Sequence, residues 1–94
     1  MDPFILKIQS INNLKDAIEL LYSETKITQK LQEILDFAIE AHEGQFRKSG
    51  EPYVTHPILV ACVAARFSNE EDIIATALLH DVVEDTKFNL EFIK

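Results

Sequence analysis

Two glycines and three prolines in 94 residues leave this chain little material for turns. A β-sandwich needs a turn every ~8–12 residues, whereas a few long helices need only a handful. The apolar residues agree with helices. Ile11, Leu14, Ala17, Ile18 and Leu21 recur at three- and four-residue steps and predict a helix over about residues 10–22, capped by Ser10 or Asn12. Thr28 caps a second, which runs through Leu31, Ile34, Leu35, Ala38 and Ala41 to about Glu43, where Gly44 stops it. The stretch 45–57, QFRKSGEPYVTHP, carries turn chemistry at Ser49-Gly50 and Glu51-Pro52 and is expected to be irregular. Pro57 suits the first position of a third helix, with Thr55 or His56 just before it. That helix, PILVACVAARF, is apolar on nearly every side and should be buried. Ser68-x-x-Glu71 spells a capping box that opens a fourth helix, through Ile73, Ile74, Ala77 and Leu78 to residue 86. Asn89 caps a fifth, LEFIK. The expectation is an all-α bundle of about five helices. The last would be one turn long, too short to stand alone, so we expect a chain truncated at its C-terminus.

Charge narrows the partners. A formal net charge of −7 argues against a DNA or RNA binder, which needs a basic face. It leaves room for a phosphate ligand at the local basic pair Arg47-Lys48. The single Cys62 has no disulfide partner within the chain and sits in an apolar run, where it reads as a small buried hydrophobe. The N-terminus has too short an apolar stretch for a signal peptide, and no run approaches the ~18 apolar residues of a membrane span. A cytoplasmic protein is expected.

The chemistry gathers in LLHDVVEDT, residues 78–86. On a helix, His80 and Glu84 are four apart, as are Asp81 and Asp85, while Asp81 and Glu84 are three apart, so these pairs share a face or adjoining faces. His80 and Asp81 diverge by ~100° and can still converge on one ion. Acidic groups in the last turns of a helix oppose its macrodipole. A plain solvated face and a metal or catalytic site are both open readings of that arrangement. His56 tips the balance. It precedes Pro57, which holds its backbone extended and its ring at a stiff junction. Two imidazoles and one carboxylate suit Mn²⁺, Fe²⁺ or Zn²⁺ better than Mg²⁺ or Ca²⁺. His42, in the second helix, could support such a site or simply pack.

These residues carry a family resemblance. AHEGQFRKSGEPYVTHP, followed by ALLHDVVEDT, resembles the HD hydrolase domain of the RelA/SpoT family, which makes and degrades the alarmone (p)ppGpp. The likeness covers about residues 28–94, and residues 1–27 look like a lead-in helix without a motif. The resemblance implies that His56, His80 and Asp81 are metal ligands, with Mn²⁺ the usual ion. It implies that Glu84 and Asp85 orient or activate water, and that Arg47, Lys48 and Ser49 line a nucleotide pocket. The implied reaction releases pyrophosphate from the ribose 3′ position and returns GDP or GTP. The family's fourth ligand is an Asp in an ADRLHN-like helix far downstream, and no such segment occurs before Lys94. Asp72 is no substitute, because it sits about two turns before His80 on the same helix. The chain alone could therefore be inactive, and uncovered apolar surface would favour self-association. The alternative is a non-catalytic nucleotide-sensing or interaction module of the same fold.

Overall fold

In the computed structural model, residues 3–68, 70–80 and 82 are described. They form five helices, α1 (Pro3–Ser10), α2 (Leu14–Glu24), α3 (Gln29–Ala41), α4 (Thr55–Phe67) and α5 (Glu71–Leu79). Among the described residues the only β pairing is a single bridge between Phe46 and Pro52. The all-α expectation stands, although the five helices are not the five expected. The expected LEFIK helix lies outside the described residues. In its place the N-terminal stretch forms α1, with Pro3 at its first position, where a missing N–H costs nothing.

Helix α2 starts later than the periodicity suggests. Asn13 caps it, its side chain accepting the Asp16 N–H at 2.9 Å, and Ile11 falls in the connector between α1 and α2. Helix α3 starts at the expected cap, where Thr28 Oγ1 accepts the Leu31 N–H at 3.1 Å. Gly44, at φ 83°, stands just beyond its end, in a conformation that a side chain would strain. The capping box does not form. Ser68 is spent closing α4, its N–H on the Ala64 carbonyl at 2.9 Å, and Glu70 takes the cap of α5 without a side-chain bond. Glu71 reaches across to α3 instead. Its Oε2 accepts from Thr28 Oγ1 at 2.5 Å, and Lys30 lies 3.8 Å from its other oxygen.

Helix α4 packs against α2 and α5, and α5 packs against α3. Ile58, Ala61 and Cys62 of α4 are fully buried, joined by Leu21, Leu31, Leu35, Ile74 and Leu78. The all-round burial expected of α4 holds only in part: Leu59, Val60, Val63 and Ala64 are half-buried, and Phe67 at the helix end is 84% exposed. Burial, with the nearby Glu24 adding to it, pushes the Cys62 thiol up to about 12, so it behaves as the inert apolar residue expected. The N-terminal helices share this core: Phe4, Ala17, Leu20 and Leu21 belong to it. Arg66 fastens them, its guanidinium 4.5 Å over the Phe4 ring and 3.3 Å from the Glu24 carboxylate.

Candidate active site

The packing of α4 on α5 brings two histidines together. His56 lies in the first turn of α4 rather than in an extended stretch before it, and its N–H reaches the Tyr53 carbonyl at 3.1 Å. Pro57 is thus the third helical residue, still within the turn whose N–H groups have no helical partner. His80 closes α5. The two ring centroids are 6.2 Å apart, at 62° to each other. His80 Nδ1 lies 2.6 Å from the Ala77 carbonyl oxygen. A carbonyl only accepts, so Nδ1 carries the hydrogen and the lone pair of the neutral ring stays on Nε2. A backbone carbonyl, like a carboxylate or a water, can orient a metal-binding imidazole in this way.

A transition metal sits ~2.1 Å from an imidazole nitrogen, so two rings on one ion have centroids roughly 4.6 Å apart at a right angle and roughly 6.5 Å apart when opposite each other. At 6.2 Å the two rings stand at the wide end of that range, and a closer approach is needed for a tetrahedral ion. The other ionisable members of the motif, Asp81, Glu84 and Asp85, lie outside the described residues. Among the described residues no cluster of three His, Cys, Asp or Glu side chains forms. Val82 is fully buried just beyond His80. Asp72 stands at the other end of α5, 3.5 Å from Lys30, as its place in the sequence requires.

The basic stretch is more ordered than its composition suggests. The Tyr53 N–H reaches the Gln45 carbonyl at 2.8 Å, Arg47 N–H that of Glu51 at 3.0 Å, and Gly50 N–H that of Arg47 at 2.9 Å. With the Phe46–Pro52 bridge these bonds make a narrow hairpin, turned at Gly50 with φ 101°. Arg47 lines two clefts. One, of about 480 Å³, is shared with Phe46, Lys48, Ser49 and Tyr53. The other, of about 200 Å³, is shared with Ile11, Glu51, Thr55, His56 and Leu59. Arg47 therefore links the basic loop to the histidine side, while Lys48 and Ser49 stay on the outer side.

Glu51, which the sequence marks only as part of a turn, has a further part here. Glu51 holds both of its neighbours in the loop: Oε2 accepts from Ser49 Oγ at 2.6 Å, and Oε1 lies 3.5 Å from Arg47 Nε. The Ser49 hydroxyl, then its own backbone N–H, and Arg47 after that, hold the Glu51 carboxyl below its ordinary value. An Arg four residues before and a Ser two before were the available signal. His42 resolves toward packing. It is 2% exposed, its ring lies 5.1 Å from that of Tyr53, and Nδ1 is 2.9 Å from Gln45 Oε1. It supports the base of the hairpin and does not line the cleft of His56. Its Nε2 and the buried Thr55 hydroxyl have no hydrogen-bond partner among the described residues.

Comparison with known proteins adds to this geometry. Residues 35–94 match the family described as HD domain. A guanosine-3′,5′-bis(diphosphate) 3′-pyrophosphohydrolase of Haemophilus influenzae is 53% identical over 57 residues, 61% of this chain and 8% of the relative. The bifunctional (p)ppGpp synthase/hydrolase SpoT of Escherichia coli is 45% identical over 74 residues, 79% of this chain and 10% of the relative. A 3′-pyrophosphohydrolase of Aquifex aeolicus is 38% identical over 88 residues, 94% of this chain and 13% of the relative. The chain thus spans about a tenth of the length of the curated relatives it matches.

Proposed function

We propose, since the chain belongs to the HD-domain family, that it forms part of a metal-dependent (p)ppGpp 3′-pyrophosphohydrolase. The observation that carries the reading is the meeting of His56 and His80 from two helices, with His80 already oriented by the Ala77 carbonyl. The names of the relatives supply the substrate class.

In this reading His56, His80 and Asp81 hold one divalent ion, Mn²⁺ or another transition metal. When bound, such an ion acidifies a water and offsets phosphate charge. Glu84 and Asp85 orient the attacking water and take its proton. Arg47 stacks on the base or forks onto a phosphate, and Lys48 adds a point charge. Ser49 lines the same loop. Water adds to the phosphorus attached to the ribose 3′-oxygen, the bond to that oxygen breaks, and the oxygen leaves with a proton as pyrophosphate is released. A guanine-nucleotide substrate supports a cytoplasmic protein. Among the described residues no helix is long and apolar enough to cross a membrane.

The test is pyrophosphate release from guanosine tetraphosphate with Mn²⁺ and with chelator, by this chain and by a longer one that includes the downstream helices. Mn²⁺-dependent release that Asp81→Asn abolishes is the expected result. Turnover that persists in Asp81→Asn would sink the metal assignment. Binding without release in the longer protein would favour the nucleotide-sensing module.

A further inference from the structure

A carboxylate in the middle of a loop meant for an anion is costly, because it repels the ligand. Glu51 occupies that place, and its side chain is only 17% exposed. Both of its oxygens are engaged within the loop, on Ser49 Oγ and on Arg47 Nε. Its backbone carbonyl takes the Arg47 N–H as well. Arg47 is therefore gripped at its main chain and at the near edge of its guanidinium. The end-on edge, Nη1 and Nη2, remains for a ligand, and the contact at Nε narrows the rotamers that the long side chain gives up on binding.

We propose that Glu51 is a positioning residue, which fixes the Arg47 guanidinium and the polarity of the Ser49 hydroxyl so that the loop receives a nucleotide. The inference rests on the reading that this loop faces the nucleotide. The two held groups take different parts of it. Arg47 presents donors and a flat cation, suited to a phosphate or to the face of a base. Ser49 has spent its one hydrogen on Glu51, so it presents lone pairs. Its ligand partner is a donor, a ring N–H, an amine or a sugar hydroxyl, and not a phosphate oxygen. Glu51 thereby divides a short basic loop into a donor end at Arg47 and an acceptor end at Ser49.

The experiment compares wild type, Glu51→Gln and Glu51→Asp in the full-length protein that carries this chain. It follows Mn²⁺-dependent pyrophosphate release from guanosine tetraphosphate and the thermal midpoint. Glu51→Gln keeps the size and removes the charge. Its KM should rise about three- to tenfold, the cost of ordering one long side chain on binding. Its kcat should stay within about twofold and its midpoint should not move. Glu51→Asp should recover part of the KM. A KM that falls or stays constant in Glu51→Gln would mark Glu51 as a mere repelling anion and overturn the proposal. So would a joint loss of kcat and midpoint, which signals a structural role. The Arg47 Nε–H resonance in ¹⁵N spectra gives a readout without substrate. It should shift in Glu51→Gln, and an unmoved resonance overturns the proposal too. A wild-type protein that releases no pyrophosphate would sink the enzymatic reading, while the resonance still decides whether Glu51 holds Arg47.

Discussion

Glu51 and Glu71 make the same set of bonds in two different settings. Each takes a hydroxyl hydrogen, from Ser49 at 2.6 Å and from Thr28 at 2.5 Å. Each also faces a cation, Arg47 at 3.5 Å and Lys30 at 3.8 Å. The difference lies in where the partners come from. Those of Glu51 are within four residues of it, inside one hairpin. Thr28 lies 43 residues before Glu71 and caps another helix. The Glu71 set therefore closes a long loop of chain and ties the start of α5 to the start of α3. The Glu51 set joins no two elements and can only shape the hairpin itself. Sequence separation, more than bond chemistry, decides whether such a cluster serves the fold or the site.

The largest test of that distinction is Leu78→Ala. Leu78 is 1% exposed on α5, the helix that begins at Glu71 and is closed by His80. Removing it should cost about 2–5 kcal/mol in a urea melt followed by circular dichroism. That is a large fraction of the ~5–15 kcal/mol available to a domain of this kind. It should also weaken the His56–His80 pairing, because α5 carries both the clamp and the histidine. A loss under about 1 kcal/mol would mean that α5 is not held by the core.

Thr28→Ala comes next. It removes the cap on Leu31 and the hydrogen given to Glu71, and should cost about 1 kcal/mol. A double-mutant cycle with Glu71→Gln should show coupling, since the two share one bond. The Lys30 contacts should add little, with Lys30 itself 59% exposed. Additive effects for Thr28 and Glu71 would break the contrast with the hairpin.

The same distinction explains what could be read from the sequence. The periodic apolar runs place α2, α3, α4 and α5, because helix-forming contacts repeat locally. The cap at Thr28 is equally local. Its bond to Glu71 is not, and the capping-box spelling at Ser68 misleads because Ser68 is needed to end α4. Helix α1 escapes notice because its stability comes from packing: Phe4 is buried and lies under Arg66, which is 62 positions further on. At the site, the two histidines are visible as residue types, and their 6.2 Å approach depends on the packing of α4 against α5. Glu51 was hidden for the opposite reason. Its partners are close in sequence, but SGEPY reads as turn chemistry, and only the hairpin turns the carboxylate onto Arg47 and Ser49.

Gly50→Ala tests whether the hairpin is independent of the core. At φ 101° an alanine is strained, although the space around it is open. The cost should be about 1–2 kcal/mol and come from the backbone alone. It should fall on the hairpin. Hydrogen exchange should speed up at the Arg47 and Gly50 amides while the α4 and α5 amides keep their protection. Equal loss of protection in both regions would show the hairpin to be part of the cooperative core.

The smallest effect is on pH. Glu51 loses its proton more readily in the folded hairpin than in an open chain, chiefly through the Ser49 hydroxyl. A carboxyl depressed by folding stabilises the fold at pH above its ordinary value. That support disappears as the pH falls through the depressed value. Acid should therefore loosen the hairpin as the pH falls through that depressed value. Ser49→Ala removes the largest cause, so the Glu51 midpoint read by ¹³C spectra should move up toward the ordinary carboxylate range. The loss of Arg47 amide protection should move up in pH with it. The global melt should barely change, because a partly exposed pair within one hairpin holds no elements together. A midpoint that stays depressed in Ser49→Ala would give Arg47 the larger hold on Glu51, and the hydroxyl polarity inferred for Ser49 would lose its basis.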